Sequence, residues 1–325
     1  MKVLITGATG FLGEYLVKEF SQAGYQLVAF GRNKEKGQLL EVDSFIQGDF
    51  SDFKQIEAAA EGCEIVIHAG ALSTVWGDWK DFESANVLGT ENVLKACLKN
   101  EVRRLVFVSS PSIYTSKKDH LDISESFELQ DKPLNYYIRS KIQAEALVKS
   151  YQSQLETVIL RPRGLFGIGD NSIIPRLLAA NSTRGIPLIR SGQNKVDITY
   201  VENVAQAALL STTRAEAVGE TFNITNGEPM SFKEILESLL KKIEIEPHYI
   251  NLSLSKAYAA ASLLEFIYKT LRLKGEPALT RYTAATLGTS QTLNIDKARA
   301  KLGYIPAVTI EEGLDIYANW WKENH

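Results

Sequence analysis

The chain has little of what several functional classes require. It carries only two cysteines, Cys63 and Cys97, among 325 residues, which is too few for a disulfide framework. Its four histidines are scattered singly, so no cluster of metal ligands is expected. The net charge of -3 provides no basic field for nucleic acid. A disulfide scaffold is therefore excluded, and we expect neither a metal site nor a nucleic-acid partner.

Long uninterrupted apolar runs are missing too. The longest apolar stretch, about residues 252–273, contains Lys256, Glu265, Lys269 and Arg272, so no membrane-spanning helix is predicted. An apolar strand is predicted at the very start of the chain, which leaves no room for a signal or transit segment. We therefore expect a cytoplasmic protein. With 45% hydrophobic residues, the chain can form one large domain or two smaller ones.

The stretch from Met1 to Arg32 carries the strongest pattern. An apolar run, a glycine turn, an amphipathic helix and a second apolar run follow one another. Gly7, Gly10 and Gly13 form a GxxGxxG between strand and helix, the context in which such glycines indicate a dinucleotide site. Glycines allow the tight turn and the close approach of backbone N–H groups to a pyrophosphate. A glycine turn without a ligand is the alternative.

The end of the second strand bears on the choice of cofactor. A carboxylate there would bind the ribose 2′-hydroxyl of NAD, whereas an arginine binds the 2′-phosphate of NADP. Gly31 occupies the expected acidic position and Arg32 follows it, with Lys34 and Lys36 nearby. The sequence therefore favours NADP over NAD. An Arg32 that only stacks on adenine would leave NAD open.

Strands and helices continue to alternate along the chain. Apolar strands are predicted at 44–47, 64–68 and 104–108, and a helical pattern returns at 85–96. This alternation indicates an α/β fold with a doubly wound parallel sheet.

The pattern loosens after about Gly167 and returns to the sheet later. We predict a dinucleotide-binding domain of residues 1–167 plus about 197–226. Residues 168–196 and 227–325 are predicted to form a smaller, mostly helical substrate-binding part. Within it, the apolar segment 252–271 is expected to be a core or dimer helix; capping a hydrophobic cleft or touching a membrane surface is the alternative.

A tyrosine followed four residues later by a lysine is the candidate catalytic pair. On a helix this spacing puts both side chains on one face, where the ammonium lowers the pKa of the phenol. The sequence contains two such pairs, Tyr114/Lys118 and Tyr137/Lys141. Only the second opens an amphipathic helical segment, so we choose Tyr137 and Lys141.

A hydroxyl at the end of the fifth strand is expected to hold the substrate oxygen beside that tyrosine. Ser109, Ser110 and Ser112 all qualify by their chemistry. Tyr136 has Ser140 at the fourth following position, so it is expected to pack or to face the substrate.

These segments resemble the extended short-chain dehydrogenases/reductases, the NAD-dependent epimerase/dehydratase superfamily. The shared segments are TGATGFLG (6–13), GDF (48–50), HAGA (68–71), NVLGTENVL (86–94), SSPSIY (109–114), YYIRSK (136–141), LRPRGLFG (160–167) and TYVENVAQA (199–207). Through RPRGLFGIGDNSIIPRLLAA and ITNGEP the chain is most similar to the 3β-hydroxysteroid dehydrogenase-like branch, which includes 2-alkyl-3-oxoalkanoate reductases. The resemblance implies a Rossmann fold and a homodimer through the helices of Asn86 and Tyr137.

The resemblance also assigns residues. Ser110 matches the active-site Ser/Thr of the family, which completes a catalytic set with Tyr137 and Lys141. The implied cofactor-binding residues are Gly7, Thr9, Gly10, Phe11, Leu12, Gly13, Arg32, Asp49, Phe50, Ala69, Gly70, Ala71, Tyr137, Lys141, Pro162, Gly164 and Leu165. Substrate contacts are expected from Ser112, Tyr136 and Arg176, the last either as the partner of an acidic group or as a surface charge.

The implied function is NAD(P)-dependent interconversion of a ketone and a secondary alcohol in a hydrophobic, sterol-like or 3-oxoacyl-like small molecule. A nucleotide-sugar epimerase or dehydratase with tightly held NAD is the first alternative. Those enzymes carry an arginine for the diphosphate where this chain has Val196, although Lys195 or Arg190 could substitute. A non-catalytic NADP-sensing protein is the second alternative, and the intact serine, tyrosine and lysine set argues against it.

Overall fold

A computed structural model describes all residues, 1–325. Its strands are β1 (Lys2–Thr6), β2 (Gln26–Gly31), β3 (Ser44–Gln47), β4 (Ile65–His68), β5 (Arg104–Val108), β6 (His120–Ile123), β7 (Glu156–Pro162), β8 (Leu165–Phe166), β9 (Ile186–Ile189), β10 (Lys195–Val196), β11 (Thr199–Tyr200), β12 (Thr221–Ile224), β13 (Met230–Ser231), β14 (Tyr249–Leu252) and β15 (Gln291–Leu293).

Its α-helices are α1 (Phe11–Gln22), α2 (Lys34–Gly37), α3 (Phe53–Ala59), α4 (Trp79–Phe82), α5 (Gly89–Lys99), α6 (Tyr136–Ser150), α7 (Ile174–Ser182), α8 (Val201–Thr213), α9 (Phe232–Lys242), α10 (Leu254–Thr270), α11 (Arg281–Gly288), α12 (Asp296–Leu302) and α13 (Ile310–Asn324). A π-helical segment, Glu83–Leu88, joins α4 to α5, and 3₁₀ turns lie at Pro111–Tyr114, Arg190–Gly192 and Ala215–Ala217.

Seven parallel strands form the main sheet in the order β12-β7-β5-β4-β1-β2-β3. Helices α1 and α8 pack on one face of it, and α3, α5 and α6 on the other. Because both faces are covered, the central strands β1, β4 and β5 are mostly apolar. The predicted doubly wound sheet is confirmed. Its strand order reverses between β1 and β4, which opens a crevice at the carboxyl ends of these strands.

A second sheet, β13-β10-β15-β6, was not predicted. Its strands have two to four residues each, too few for a periodic pattern. The pairs β8/β11 and β9/β14 are equally short additions to the largely helical C-terminal part.

Two segments cross the predicted domain division. Strand β6, from the N-terminal part, pairs with β15. Side chains of α12 and the residues beside it, Ile295, Ala298, Leu302 and Tyr304, lie in the same core cluster as β1. The division at 167, 197 and 226 stays a prediction, and the two parts share a core across it.

Helix α10 packs against α11 and brings Lys269 beside the ring of Tyr136. It buries Ala257, Ala261 and Glu265, whereas Leu263 and Phe266 are exposed. No helix in the structure is long and apolar enough to cross a lipid bilayer. The homodimer stays a prediction.

Candidate active site

Apart from Tyr137 and Lys141 on α6, the predicted cofactor residues lie at the ends of strands of the main sheet or directly after them. The segments are 7–13 after β1, Arg32 after β2, 49–50 after β3, 69–71 after β4, and 162–165 at the end of β7. Because these strands are parallel, the segments meet at one edge.

The glycine turn leaves the start of α1 open. Gly7 has φ +71°, and a Cβ there would lie 2.7 Å from the Cα of Gly70. A Cβ on Gly13 would lie 2.1 Å from the carbonyl oxygen of Gly7, so only glycine fits. Gly10 is the N-cap in extended conformation and provides no side-chain cap. The first-turn N–H groups of α1 are therefore available to an anion.

A side chain at the end of β2 would displace the Thr9 side chain. A Cβ on Gly31 would lie 2.9 Å from Thr9 Oγ1. Arg32 is exposed, and its backbone oxygen accepts a 3.1 Å hydrogen bond from Gln47 Nε2. Its guanidinium has no ion-pair partner, whereas Lys36 pairs with Glu14 at 3.2 Å.

The ring of Phe50 packs closely against two glycines. A Cβ on Gly70 or on Gly89 would each come within 2.5 Å of its ring. Asn92 Nδ2 holds its carbonyl oxygen at 3.1 Å, and Asp49 Oδ1 accepts a 2.9 Å bond from the Ser51 N–H. This places both predicted adenine contacts at the edge of the sheet.

Tyr137 and Lys141 lie on the first two turns of α6, as the spacing predicts. Asn135 caps this helix by accepting a 2.9 Å hydrogen bond from the Ile138 N–H. Lys141 is 2% exposed, and its Nζ donates to the Val108 carbonyl at 2.8 Å. The pair therefore reaches the carboxyl end of β5, where the serines follow.

Burial is the largest cause of the pKa shifts of Tyr137 and Lys141. It raises the pKa of Tyr137 to about 12, and the neighbouring Ser110 hydroxyl opposes that rise. It lowers the pKa of Lys141 to about 8, and the charge of Glu145 opposes that fall. At neutral pH the tyrosine is a phenol and the lysine is an ammonium.

The three candidate serines differ in their hydrogen bonds. Ser110 Oγ accepts a 3.2 Å bond from the Ser112 N–H and lies beside the Tyr137 phenol. The hydroxyls of Ser109 and Ser112 are buried without a partner. The structure thus brings Ser110, Tyr137 and Lys141 together, and their catalytic roles stay a prediction.

The rejected pair Tyr114/Lys118 is arranged differently. Tyr114 lies in the 3₁₀ turn, where its hydroxyl donates to Asn223 Oδ1 at 3.0 Å and accepts from Arg161. Lys118 is exposed on the following loop. No helix holds the two side chains on one face.

Asn86 is a site residue that sequence reasoning did not single out. It lies in the π-helical segment, and its amide bonds both backbone groups of Leu72, at 2.7 and 3.0 Å. Its Nδ2 also donates to Ser140 Oγ at 2.9 Å, and Ser140 Oγ donates to the Tyr137 carbonyl at 2.8 Å. Asn86 therefore fixes the start of α6 against the loop after β4. An asparagine inside a helical pattern was the only signal.

The predicted substrate residues differ in exposure: Ser112 is buried in the 3₁₀ turn after β5, whereas Tyr136 and Arg176 lie at the surface. Tyr136 is 38% exposed, with its ring 5.9 Å from that of Trp79 and with Lys269 Nζ of α10 5.8 Å from its centroid. Arg176 is exposed and forms a two-bonded ion pair with Glu276, at 3.0 and 3.1 Å. Its guanidinium already has a carboxylate partner.

Both suggested substitutes for the arginine missing at Val196 lie on the surface. Lys195 is exposed, and Arg190 pairs on the surface with Asp119 at 2.7 Å. The buried cation of this region is Arg163, which donates to Gln291, the residue paired with Val196 between β10 and β15.

Residues 4–254 match the model of the 3-beta hydroxysteroid dehydrogenase/isomerase family. The chain belongs to this family. It is 35% identical to a 2-alkyl-3-oxoalkanoate reductase of Stenotrophomonas maltophilia, over 97% of each chain. It is 31% identical to a sterol-4-alpha-carboxylate 3-dehydrogenase (decarboxylating) of Candida albicans, over 99% of this chain and 98% of the relative. The protein is therefore an oxidoreductase of the extended short-chain dehydrogenase/reductase type.

Solved structures agree with that fold. MoeE5 in complex with UDP-glucuronic acid and NAD superposes with a TM-score of 0.79 over 100% of both chains, at 23% identity. At that identity the likeness shows the fold alone.

Proposed function

We propose that this protein reduces a ketone to a secondary alcohol, and catalyses the reverse oxidation, with a nicotinamide cofactor and a Ser110-Tyr137-Lys141 mechanism. The observation that carries the proposal is the convergence of these three side chains at the sheet edge that also holds the open glycine turn. The two named relatives act on a 3-oxoalkanoate and on a sterol carboxylate, which supports a hydrophobic substrate.

The residues present fit a dinucleotide. The close contacts of Gly7 and Gly13 leave a cradle that any Cβ would fill, and the uncapped turn of α1 offers N–H donors to a pyrophosphate. When bound, the nicotinamide would supply or accept the hydride. The side chains of the protein carry out proton transfer and stabilise the developing charge.

Proton transfer is assigned to Tyr137. As a phenol at neutral pH it holds the proton that the substrate oxygen requires during reduction. The Ser110 hydroxyl donates a hydrogen bond to the same oxygen and stabilises its developing negative charge. The buried ammonium of Lys141 stabilises the phenolate that remains. In the oxidation the same proton returns to Tyr137.

We propose NADP as the favoured cofactor. Gly31 cannot be replaced by an acidic residue without displacing Thr9, and the guanidinium of Arg32 is free to bind a 2′-phosphate. This preference rests on those two residues.

The test is turnover of 2-alkyl-3-oxoalkanoates and 3-ketosteroids with NADPH and NADH. We expect Tyr137→Phe to lower kcat by about 10²- to 10⁴-fold with little change in cofactor affinity. Tyr151→Phe, at the other end of α6, is the matched control and should keep wild-type rates. Full turnover by Tyr137→Phe would overturn the mechanism. Stoichiometric NAD released from the denatured, purified protein would instead support the epimerase or dehydratase alternative.

A further inference from the structure

One face of helix α10 is packed and the opposite face is not. Ala257 and Ala261 are at most 1% exposed and lie in a core cluster with residues of β9 and α11. The opposite face is formed by side chains at helical spacing: Ala259, Ala260, Leu263, Phe266, Ile267 and Thr270. Leu263 is 60% exposed and Phe266 is 65% exposed. An apolar stripe therefore runs along the helix in contact with solvent.

The apolar exposure continues past the end of α10. Leu271 is 65% exposed and Leu273 is 45% exposed. With Leu263 and Phe266, four of the fourteen exposed large apolar side chains of the protein lie within residues 263–273. Single exposed apolar residues are common, but a concentrated group marks an interaction surface. We call the exposed side chains of residues 256–274 the α10 face.

The free charges of the α10 face are all positive. It carries four cations without an ion-pair partner: Lys256, Lys269, Arg272 and Lys274. The one carboxylate of this stretch, Glu265, is 6% exposed and pairs with Arg281 at 2.7 Å. The next carboxylate along the chain, Glu276, pairs with Arg176 at 3.0 Å. The face therefore combines apolar side chains with uncompensated positive charge.

Lys269 joins the α10 face to aromatic side chains at the start of α6. Its Nζ lies 5.5 Å from the centroid of the Trp76 ring and 5.8 Å from that of Tyr136. Trp76 packs edge-on against Tyr268, with 6.3 Å between the ring centroids. Tryptophan and tyrosine are enriched where a protein meets the interface between lipid and water.

We propose that the α10 face docks reversibly on the surface of a bilayer that contains anionic lipid. Helices that lie in the plane of such an interface place their apolar side chains at the acyl boundary, while their cations attract anionic headgroups. A second copy of this chain is the other occupant to consider. In a twofold dimer the face would meet its own cations, with no free carboxylate to pair them. Charge complementarity therefore favours the bilayer.

The test is flotation of the purified protein with lipid vesicles. Vesicles of phosphatidylcholine alone are compared with vesicles of equal parts phosphatidylcholine and phosphatidylglycerol. We expect binding to the mixed vesicles to be tighter by about tenfold or more and to weaken at high salt. Leu263→Gln/Phe266→Gln should weaken this binding by about 10- to 100-fold. The matched control, Leu39→Gln/Ile305→Gln, replaces side chains that are 83% and 73% exposed elsewhere and should bind like the wild type.

A second pair of variants tests the charge. Arg272→Gln/Lys274→Gln should reduce the preference for the mixed vesicles by about tenfold. Lys54→Gln/Lys241→Gln removes the same charge from exposed positions elsewhere and should keep the preference. All the replaced side chains are exposed, so each variant should unfold at the wild-type thermal midpoint.

A fluorescent label locates the contact. Cys63 and Cys97 are buried, so a dye whose emission rises in apolar surroundings can be attached to Phe266→Cys alone. We expect its emission to rise on the mixed vesicles, whereas the same dye on Ile305→Cys should not respond.

Two results would overturn the proposal. The first is a wild-type protein that does not float with the mixed vesicles, or equal binding by Leu263→Gln/Phe266→Gln and its control. The second is a dimer, seen by sedimentation velocity, that dissociates in Leu263→Gln/Phe266→Gln while vesicle binding is unchanged. That result would assign the α10 face to a second copy of the chain. Neither measurement requires turnover, so the docking and the proposed function can fail independently.

Discussion

Lys141 carries its charge where water does not reach it. Its ammonium is stabilised by the Val108 carbonyl, by the face of the Phe107 ring at 4.6 Å and by the charge of Glu145. These contacts compensate only part of the desolvation, so its pKa falls from 10.5 to about 8. The lysine is therefore the group of this site that titrates nearest to physiological pH.

This shift predicts an alkaline limit on activity. The ammonium is present below about pH 8 and is lost as the pH rises through that value. We expect kcat/KM to fall about tenfold per pH unit above this point. In Lys141→Arg the guanidinium does not titrate in this range, so the alkaline decline of kcat/KM should disappear. The overall rate of this variant should be lower than that of the wild type. A wild-type profile that is flat to pH 10, or a limb that survives in Lys141→Arg, would contradict the assignment.

If the protein prefers NADP over NAD, Arg32 should determine that preference. We expect Arg32→Ala to weaken NADPH binding by about 10- to 100-fold, because a charge-assisted contact to the 2′-phosphate is lost. NADH binding should change little. Fluorescence titration with both nucleotides measures this, and Lys34→Ala, a neighbouring exposed cation, is the control. Equal weakening of both nucleotides would assign Arg32 to the adenine instead.

At the scale of elements, the strand, turn and helix at the N-terminus depend on one close contact. The Cβ of an alanine at position 13 would lie 2.1 Å from the Gly7 carbonyl, so α1 would have to move away from β1. We expect Gly13→Ala to abolish cofactor binding and to lower the thermal midpoint by several degrees. Gly24→Ala, at the other end of α1, has a positive φ of +79° but nothing within 4 Å. It should cost about 1 kcal/mol and leave binding intact. Wild-type affinity in Gly13→Ala would show that the turn does not hold the cofactor.

Elements with a strong repeating pattern were predictable, and short ones were not. β3 and β5 have their predicted bounds, and α6 begins one residue before Tyr137. β5 is a fully buried run, β3 has Phe45 and Ile46 between two polar residues, and α6 is a helix with an apolar stripe. The second sheet consists of strands whose pairing is set by tertiary contacts, so nothing in their local sequence marks them.

The same distinction applies to the site. Tyr137 and Lys141 are four residues apart, so helical spacing alone could relate them. Arg163 and Gln291 are separated by 128 residues and meet only because β15 pairs with β10. Asn86 bonds a loop and a helix that are each distant in sequence. Contacts of this kind require the tertiary structure.

At the scale of the whole molecule, the two parts of the chain share their cores. Leu302 and Tyr304 of the C-terminal part are fully buried with β1, while Phe166 and Tyr200 pack with residues of α13. Neither part can lose its packing without exposing apolar surface of the other. The chain should therefore unfold as one cooperative unit despite its 325 residues.

Unfolding in guanidinium chloride tests that expectation with two probes. Trp76 and Trp79 lie in the N-terminal part, so the test uses a protein in which both are replaced by Phe. The remaining Trp320 and Trp321 lie on α13 around Tyr317, so tryptophan emission then reports on the C-terminal part, whereas far-UV circular dichroism follows every helix and strand. We expect coincident transitions. Leu302→Ala opens a cavity in the shared core, so both transitions should move together to lower denaturant. The free energy of unfolding should fall by about 2–5 kcal/mol. Leu271 is 65% exposed, so Leu271→Ala should change the free energy of unfolding measured by either probe by no more than about 0.5 kcal/mol. If tryptophan emission changes at lower denaturant, and Leu302→Ala moves only one transition, the parts are separate folding units and the shared core does not couple them.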